Sequence, residues 1–118
     1  MSPTPFAASS AQVEDGIRVI AIRGELDLST APELEDPLEQ AVSTGDASIL
    51  IDLSECEFID STGIALIVRA WQRLDGNGNR VVICSANDQV RRVLEVTGLD
   101  LSIPIQSNRE EALAVLRG

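Results

Sequence analysis

The sequence predicts an α/β domain with a mixed, mostly parallel central sheet, an antiparallel hairpin at its N-terminal end and about four helices. Three observations predict it. Residues 48–53 (SILIDL) and 80–84 (RVVIC) are short apolar runs without alternation, as in strands buried on both faces of a sheet. Stretches with apolar residues three and four apart lie between and after them, so strands and helices alternate and the strands pair in parallel through right-handed crossovers. Ahead of both, Asp15-Gly16 divides two strand-like stretches, a hairpin signal. At 118 residues one core suffices.

Residues 1–10, rich in Ser, Pro and Ala, predict a flexible arm leading into the first strand, with the domain spanning 11–118. After the hairpin turn, Ile17, Val19, Ala21 and Leu26 alternate with Arg18 and Arg23 at roughly strand period. Thr30-Ala31-Pro32-Glu33 reads as a capping box with Pro in the first turn. It opens a helix with Leu34, Leu38, Ala41 and Val42 inward; Pro37 removes one backbone bond and bends it, and Gly45 ends it.

The buried strand 48–53 passes into a loop, 54–59, that delivers Asp60-Ser61-Thr62-Gly63 to a second helix. There Ile64, Ile67, Val68, Trp71 and Leu74 face inward, and residues 76–79 (GNGN) stop it. Strand 80–84 precedes a third helix, capped by Asn87 or Asp88, with Val90, Val93, Leu94 and Thr97 as its stripe and Gly98 as its close. Residues 101–105 give a short last strand. Ser107-Asn108-Arg109-Glu110 is a second capping box, ahead of Ala112, Leu113 and Leu116 on a terminal helix. In such sheets, binding sites lie at the carboxyl ends of strands, which singles out residues 24–30 and 54–63.

Composition narrows the function. The net charge is -10, and the nine basic residues, all Arg, form no cationic stripe of the kind nucleic acid requires; an anionic membrane surface is disfavoured for the same reason. A partner with a basic patch would be steered toward this domain. The longest apolar stretches, 64–68 and 112–116, are five residues each, against about 20 for a spanning helix, and no signal-peptide pattern is present. Cys56 and Cys84 stand outside any CxxC pattern and read as free thiols, so the cytoplasm is the expected location. There is no His and no Tyr, which removes the commonest general base and the Ser-His pairing. Nothing calls for a cofactor. Asp27, Asp52 and Asp60 would have to converge to hold a magnesium ion, and no phosphate-cradling Gly-rich loop accompanies them.

The most informative segment is 49–68, ILIDLSECEFIDSTGIALIV: a buried strand, a connection, and a serine at the mouth of an amphipathic helix. Its layout resembles the STAS domain family, specifically bacterial anti-sigma-factor antagonists, whose signature Asp-Ser-Ser/Thr-Gly opens the helix after a central strand. Gly24-Glu25-Leu26-Asp27 resembles the family's second signature, and residues 90–99 (VRRVLEVTGL) are similar to its third helix, so the likeness covers essentially the whole domain. The resemblance implies that Ser61 is phosphorylated by an anti-sigma factor that is also a serine kinase. The unphosphorylated form would bind that factor and free the sigma factor, and a phosphoserine phosphatase would reset it. It also implies a partner-facing surface of Asp27, Ser29, Thr30, Asp60, Thr62, Gly63, Ile64 and Leu66, with room at Gly63 for a partner's backbone or a nucleotide.

Plainer readings stand beside these. Asp60-Ser61-Thr62 is also ordinary N-cap chemistry. Asp27 serves equally as a turn residue, Trp71 as core and Cys56 as a small buried residue. Arg91 and Arg92 fit a solvated helix face. Two other functions fit the same sequence: a STAS subunit of another assembly, in lipid transport or stress signalling, without Ser61 phosphorylation, and a small carboxylate-dependent enzyme or nucleotide-binding protein.

Overall fold

The structure, a computed structural model, describes residues 4–45 and 48–118. Strands β1 (Ala7–Glu14) and β2 (Ile17–Leu26) form the antiparallel hairpin expected from Asp15-Gly16, with Gly16 at φ 76°, where a Cβ would be strained. Residues 7–10, expected in the arm, are strand, because Ala7 to Ser10 face partners on β2 from Arg23 to Ile20. Residues 1–3 of that arm lie outside the described residues.

Strands β3 (Ser48–Ile59), β4 (Arg80–Cys84) and β5 (Ile105–Gln106) then add in parallel, in the order β1-β2-β3-β4-β5. The loop expected at 54–59 is strand. β2 reaches Leu26 and pairs with β3 as far as Leu26 opposite Ile59, with two register irregularities on the way. β4 stops opposite Asp52, so β3 beyond it has a neighbour on one side only, and Glu55, Glu57 and Phe58 stay exposed. The last strand is shorter than expected: a 3₁₀ turn occupies Leu99–Leu101, Leu101 is 88% exposed, and pairing starts at Ile105.

A 3₁₀ turn, Ala31–Leu34, leads into α1 (Glu35–Ser43). The expected capping box at Thr30 does not form. Thr30 has helical dihedrals, and its hydroxyl donates to the Glu25 carbonyl at 2.7 Å while accepting the Asp27 N–H at 3.0 Å. Pro37 bends no helix interior, because α1 starts at Glu35 and leaves Pro37 in the first turn, where no intrahelical N–H is needed.

Helices α2 (Ser61–Gly76), α3 (Asp88–Val96) and α4 (Arg109–Arg117) complete the chain. Asn87 caps α3 by accepting the Gln89 and Val90 amides. The α4 cap is Asn108 rather than Ser107: its Oδ1 accepts the Glu111 N–H at 2.8 Å and its Nδ2 donates to the Glu111 carboxylate, so the cap sits one residue later than expected. Thr97 is exposed and donates to the Val93 carbonyl instead of packing.

Helices α1, α2 and α3 cover one face of the sheet, where Leu38, Ile67, Leu74 and Leu94 meet Ile20, Ile22, Ile49, Ile51 and Leu53. Trp71 and Val68 are partly buried against the same core. On the opposite face, Ala112 and Leu116 of α4 close over Ile17, Val19, Leu50, Val82 and Cys84. Successive residues of β3 therefore point to opposite faces and are all buried, the physical origin of the unalternating run 49–53.

One buried charge joins the layers. Asp52, 6% exposed on β3, accepts from the Ser54 N–H at 2.8 Å, Cys84 Sγ at 3.1 Å and Arg109 of α4 at 2.7 Å and 2.8 Å. Burial pushes the carboxyl up, but the Ser54, Cys84 and Arg109 hydrogen bonds outweigh it and hold Asp52 below its ordinary value. A depressed carboxylate contributes stability that is whole above its unfolded-state value and lost as pH falls through the folded one. Asp52→Asn is therefore expected to cost about 1–2 kcal/mol at neutral pH and to flatten the loss of stability below about pH 4. Urea midpoints measured across that range check both.

Candidate functional site at the carboxyl ends of two parallel strands

The central strands β2 and β3 end side by side, Leu26 opposite Ile59, so the residues that follow them emerge together. The Asp60 N–H donates to the Leu26 carbonyl at 3.2 Å, fixing the turn into α2 against the end of β2. Asp60 is extended, at φ -106° and ψ -174°, and its carboxylate accepts the Gly63 N–H at 2.9 Å, which makes it the N-cap. Ser61 is the first residue of α2 and is exposed; Thr62 is partly exposed. The amides of that first turn, with the helix dipole behind them, favour negative charge at this spot.

On the β2 side, Asp27 organises its own loop. Its Oδ1 accepts from the Ser29 hydroxyl at 2.7 Å, the Ser29 N–H at 2.9 Å and the Thr30 N–H at 3.2 Å. The Ser29 hydroxyl, aided by the two amides, holds the Asp27 carboxyl below its ordinary value. Asp27 is thus a turn residue that also stands at the site, with Ser29 and Thr30 bound to it. Between them Leu28 is 74% exposed, an apolar side chain that sequence reasoning passed over although it stands alone among polar turn residues.

The expected surface is corrected at two positions, Gly63 and Ile64. Gly63 is buried, and a Cβ there would stand 2.8 Å from Ile59 Cγ1 and 2.9 Å from the Leu26 carbonyl oxygen. Its missing side chain makes room for the protein's own β2 and β3, not for a partner. Ile64 is 9% exposed and belongs to the core. Leu66 is half-buried and lines a groove of about 380 Å³ between α1 and α2, with Leu38, Val42 and Arg69. What remains accessible at the strand ends is Asp27, Leu28, Ser29, Thr30, Asp60, Ser61 and Thr62, with Leu66 partly exposed in the groove.

The three aspartates weighed as magnesium ligands do not converge: Asp52 is taken up by Arg109, Asp27 by Ser29 and Thr30, and Asp60 by Gly63. Among the described residues no three His, Cys, Asp or Glu side chains group to hold a metal ion. Both thiols are buried; burial, then the neighbouring Asp52, pushes Cys84 up to about 12, and burial raises Cys56 as well. No helix among the described residues is long and apolar enough to cross a membrane.

The domain has relatives among known proteins. The STAS domain family model matches residues 8–112. An anti-sigma-B factor antagonist of Staphylococcus aureus is 34% identical over 86 residues, covering 73% of this chain and 80% of that protein. The crystal structure of an anti-sigma factor antagonist from Mycobacterium paratuberculosis superposes with a TM-score of 0.88 at 27% identity, over 97% of this chain and 96% of that one. The anti-sigma factor antagonist SpoIIAA of Bacillus, in its unphosphorylated form, superposes with a TM-score of 0.77 at 25% identity, over 95% of this chain and 97% of that one.

Proposed function

The chain belongs to the STAS domain family, and from that membership we propose that it is an anti-sigma-factor antagonist whose binding is switched by phosphorylation of Ser61. The unphosphorylated form binds an anti-sigma factor that is also a serine kinase and so releases the sigma factor; phosphorylation ends the interaction, and a phosphoserine phosphatase restores it. The chain acts by binding rather than by catalysis. The observation that carries the reading is the exposed Ser61 at the first position of α2, beside the accessible Asp27 loop.

The local physics supports such a switch. A phosphate on Ser61 meets the free amides and positive end of α2, so the domain tolerates it. The surface changes more than the fold does. Nearly two negative charges and three acceptor oxygens arrive next to Asp60, on a face where Asp27 is already held ionised. A partner fitted to a neutral hydroxyl then meets bulk and an unpaired charge. The overall charge of -10 favours a partner with a basic rim.

Incubation with the anti-sigma kinase and ATP, read by intact mass, tests the assignment. One phosphate on the parent and none on Ser61→Ala is expected; no phosphate on the parent, or an equal gain on the variant, would remove Ser61 from the proposal.

A further inference from the structure

Among the described residues, apart from the stretch of β3 beyond Asp52, where Glu55 and Glu57 are exposed, the sheet has one long open edge. β1 is the terminal strand and pairs with β2 only, whereas the opposite edge, β5, is two residues long. An edge strand presents a row of unpaired N–H and C=O groups, and proteins usually blunt it with Lys, Pro, inward charges or short length. β1 is eight residues long, and from Ala7 to Val13 it has none of those devices; its one irregularity lies at the far end, between Gln12 and Glu14. Ala7, Ser9, Ala11, Gln12 and Val13 are exposed.

The charge distribution selects what fits there. All nine basic and 19 acidic residues lie from Glu14 onward, so residues 1–13 have no ionisable side chain in a chain of net charge -10. Glu14 is itself neutralised by Arg117, whose Nε donates to it at 3.0 Å. β1 as far as Val13 therefore offers a second copy a length of strand that carries no ionisable side chain of its own. The strand is also self-complementary. Antiparallel pairing about a two-fold axis at Ser10 sets Ala11 opposite Ser9 and Gln12 opposite Ala8, side chains without charge, while Arg18 of β2, which donates to Ser10 Oγ at 3.0 Å, flanks the axis.

We propose that β1 is a homodimerisation edge, joining two copies through antiparallel β1–β1 pairing into one ten-stranded sheet. The interface uses none of the residues at the ends of β2 and β3, so each copy keeps its Ser61 face open. The inference does not depend on the function proposed above.

Sedimentation of the full chain over a range of concentrations and salt tests it. A dimer is expected, and added salt tightens it by screening the repulsion between two acidic bodies. Ser9→Lys with Ala11→Lys sets lysines opposite one another across the axis and is expected to weaken the dimer about tenfold or more. Ser9→Glu with Ala11→Glu does the same, and mixing the two variants restores dimers of mixed composition. Both positions are exposed, and circular dichroism confirms that the fold is kept. A parent that stays monomeric throughout, a dimer that persists undiminished in both variants, or a mixture that does not re-form dimers overturns the proposal.

Discussion

Ser61→Ala is expected to bind the anti-sigma partner as tightly as the unmodified protein, and Ser61→Glu about tenfold more weakly. The alanine removes one exposed hydroxyl at the first position of α2, where Asp60 and not Ser61 makes the capping bond to Gly63, so the helix start survives. The variant accepts no phosphate and remains in the binding state whatever the kinase does. Glutamate adds one charge where phosphate adds nearly two, and it lacks the compact array of three oxygens, so it imitates the modification only in part. Calorimetric titration with both variants reads the difference. Equal affinity for alanine and glutamate would mean that charge at this position does not control docking.

Gly63→Ala is expected to lower stability by about 1–3 kcal/mol, a large effect for adding one methyl group. The added carbon would lie 2.9 Å from the Leu26 carbonyl oxygen, and that oxygen cannot withdraw without straining the hydrogen bond it accepts from Asp60. It would also meet Ile59 Cγ1 at 2.8 Å and Leu26 Cγ at 2.9 Å, both fully packed. The start of α2 has to lift away from β2, and Ser61 moves with it, so phosphorylation slows along with the loss of stability. Gly76→Ala is the control. It lies at the other end of the same helix with nothing within 4 Å of the added atom, and a change within about 0.5 kcal/mol is expected. Chemical denaturation of both variants and a kinase time course separate the outcomes; a Gly63→Ala protein as stable as the parent would show that the close approach to Leu26 is not what the position requires.

Much of this architecture was legible because its causes are local. Asp15-Gly16 announced a hairpin, the doubly buried runs announced central strands, and Asp60 announced a cap by residue type and place. The Asp-Ser-Thr-Gly motif lies where the chain itself makes a helix start, so its position could be read without knowing what surrounds it. What escaped was set by partners distant in sequence. Residues 54–59 looked like a loop because Ser54, Glu55 and Glu57 are polar, yet β2 runs beside them and draws them into the sheet. Thr30 had the spacing of a cap, but the Glu25 carbonyl and the Asp27 amide, on the incoming chain, claimed its hydroxyl first. Asp52 was weighed as one of three magnesium ligands, and Arg109, 57 residues later, takes it up instead. Gly63 read as space for a visitor, and the fold fills that space with its own Leu26 and Ile59.

The proposed switch converts a docking face into a repelling one by esterifying a single hydroxyl. Its most direct test is a titration of the anti-sigma kinase with enzymatically phosphorylated protein alongside the unmodified form. An uncompensated charge in a desolvated interface costs a few kcal/mol, so affinity is expected to fall about 100-fold on phosphorylation and to return after phosphatase treatment. Identical affinities for the two forms would mean that phosphorylation of Ser61 does not govern docking.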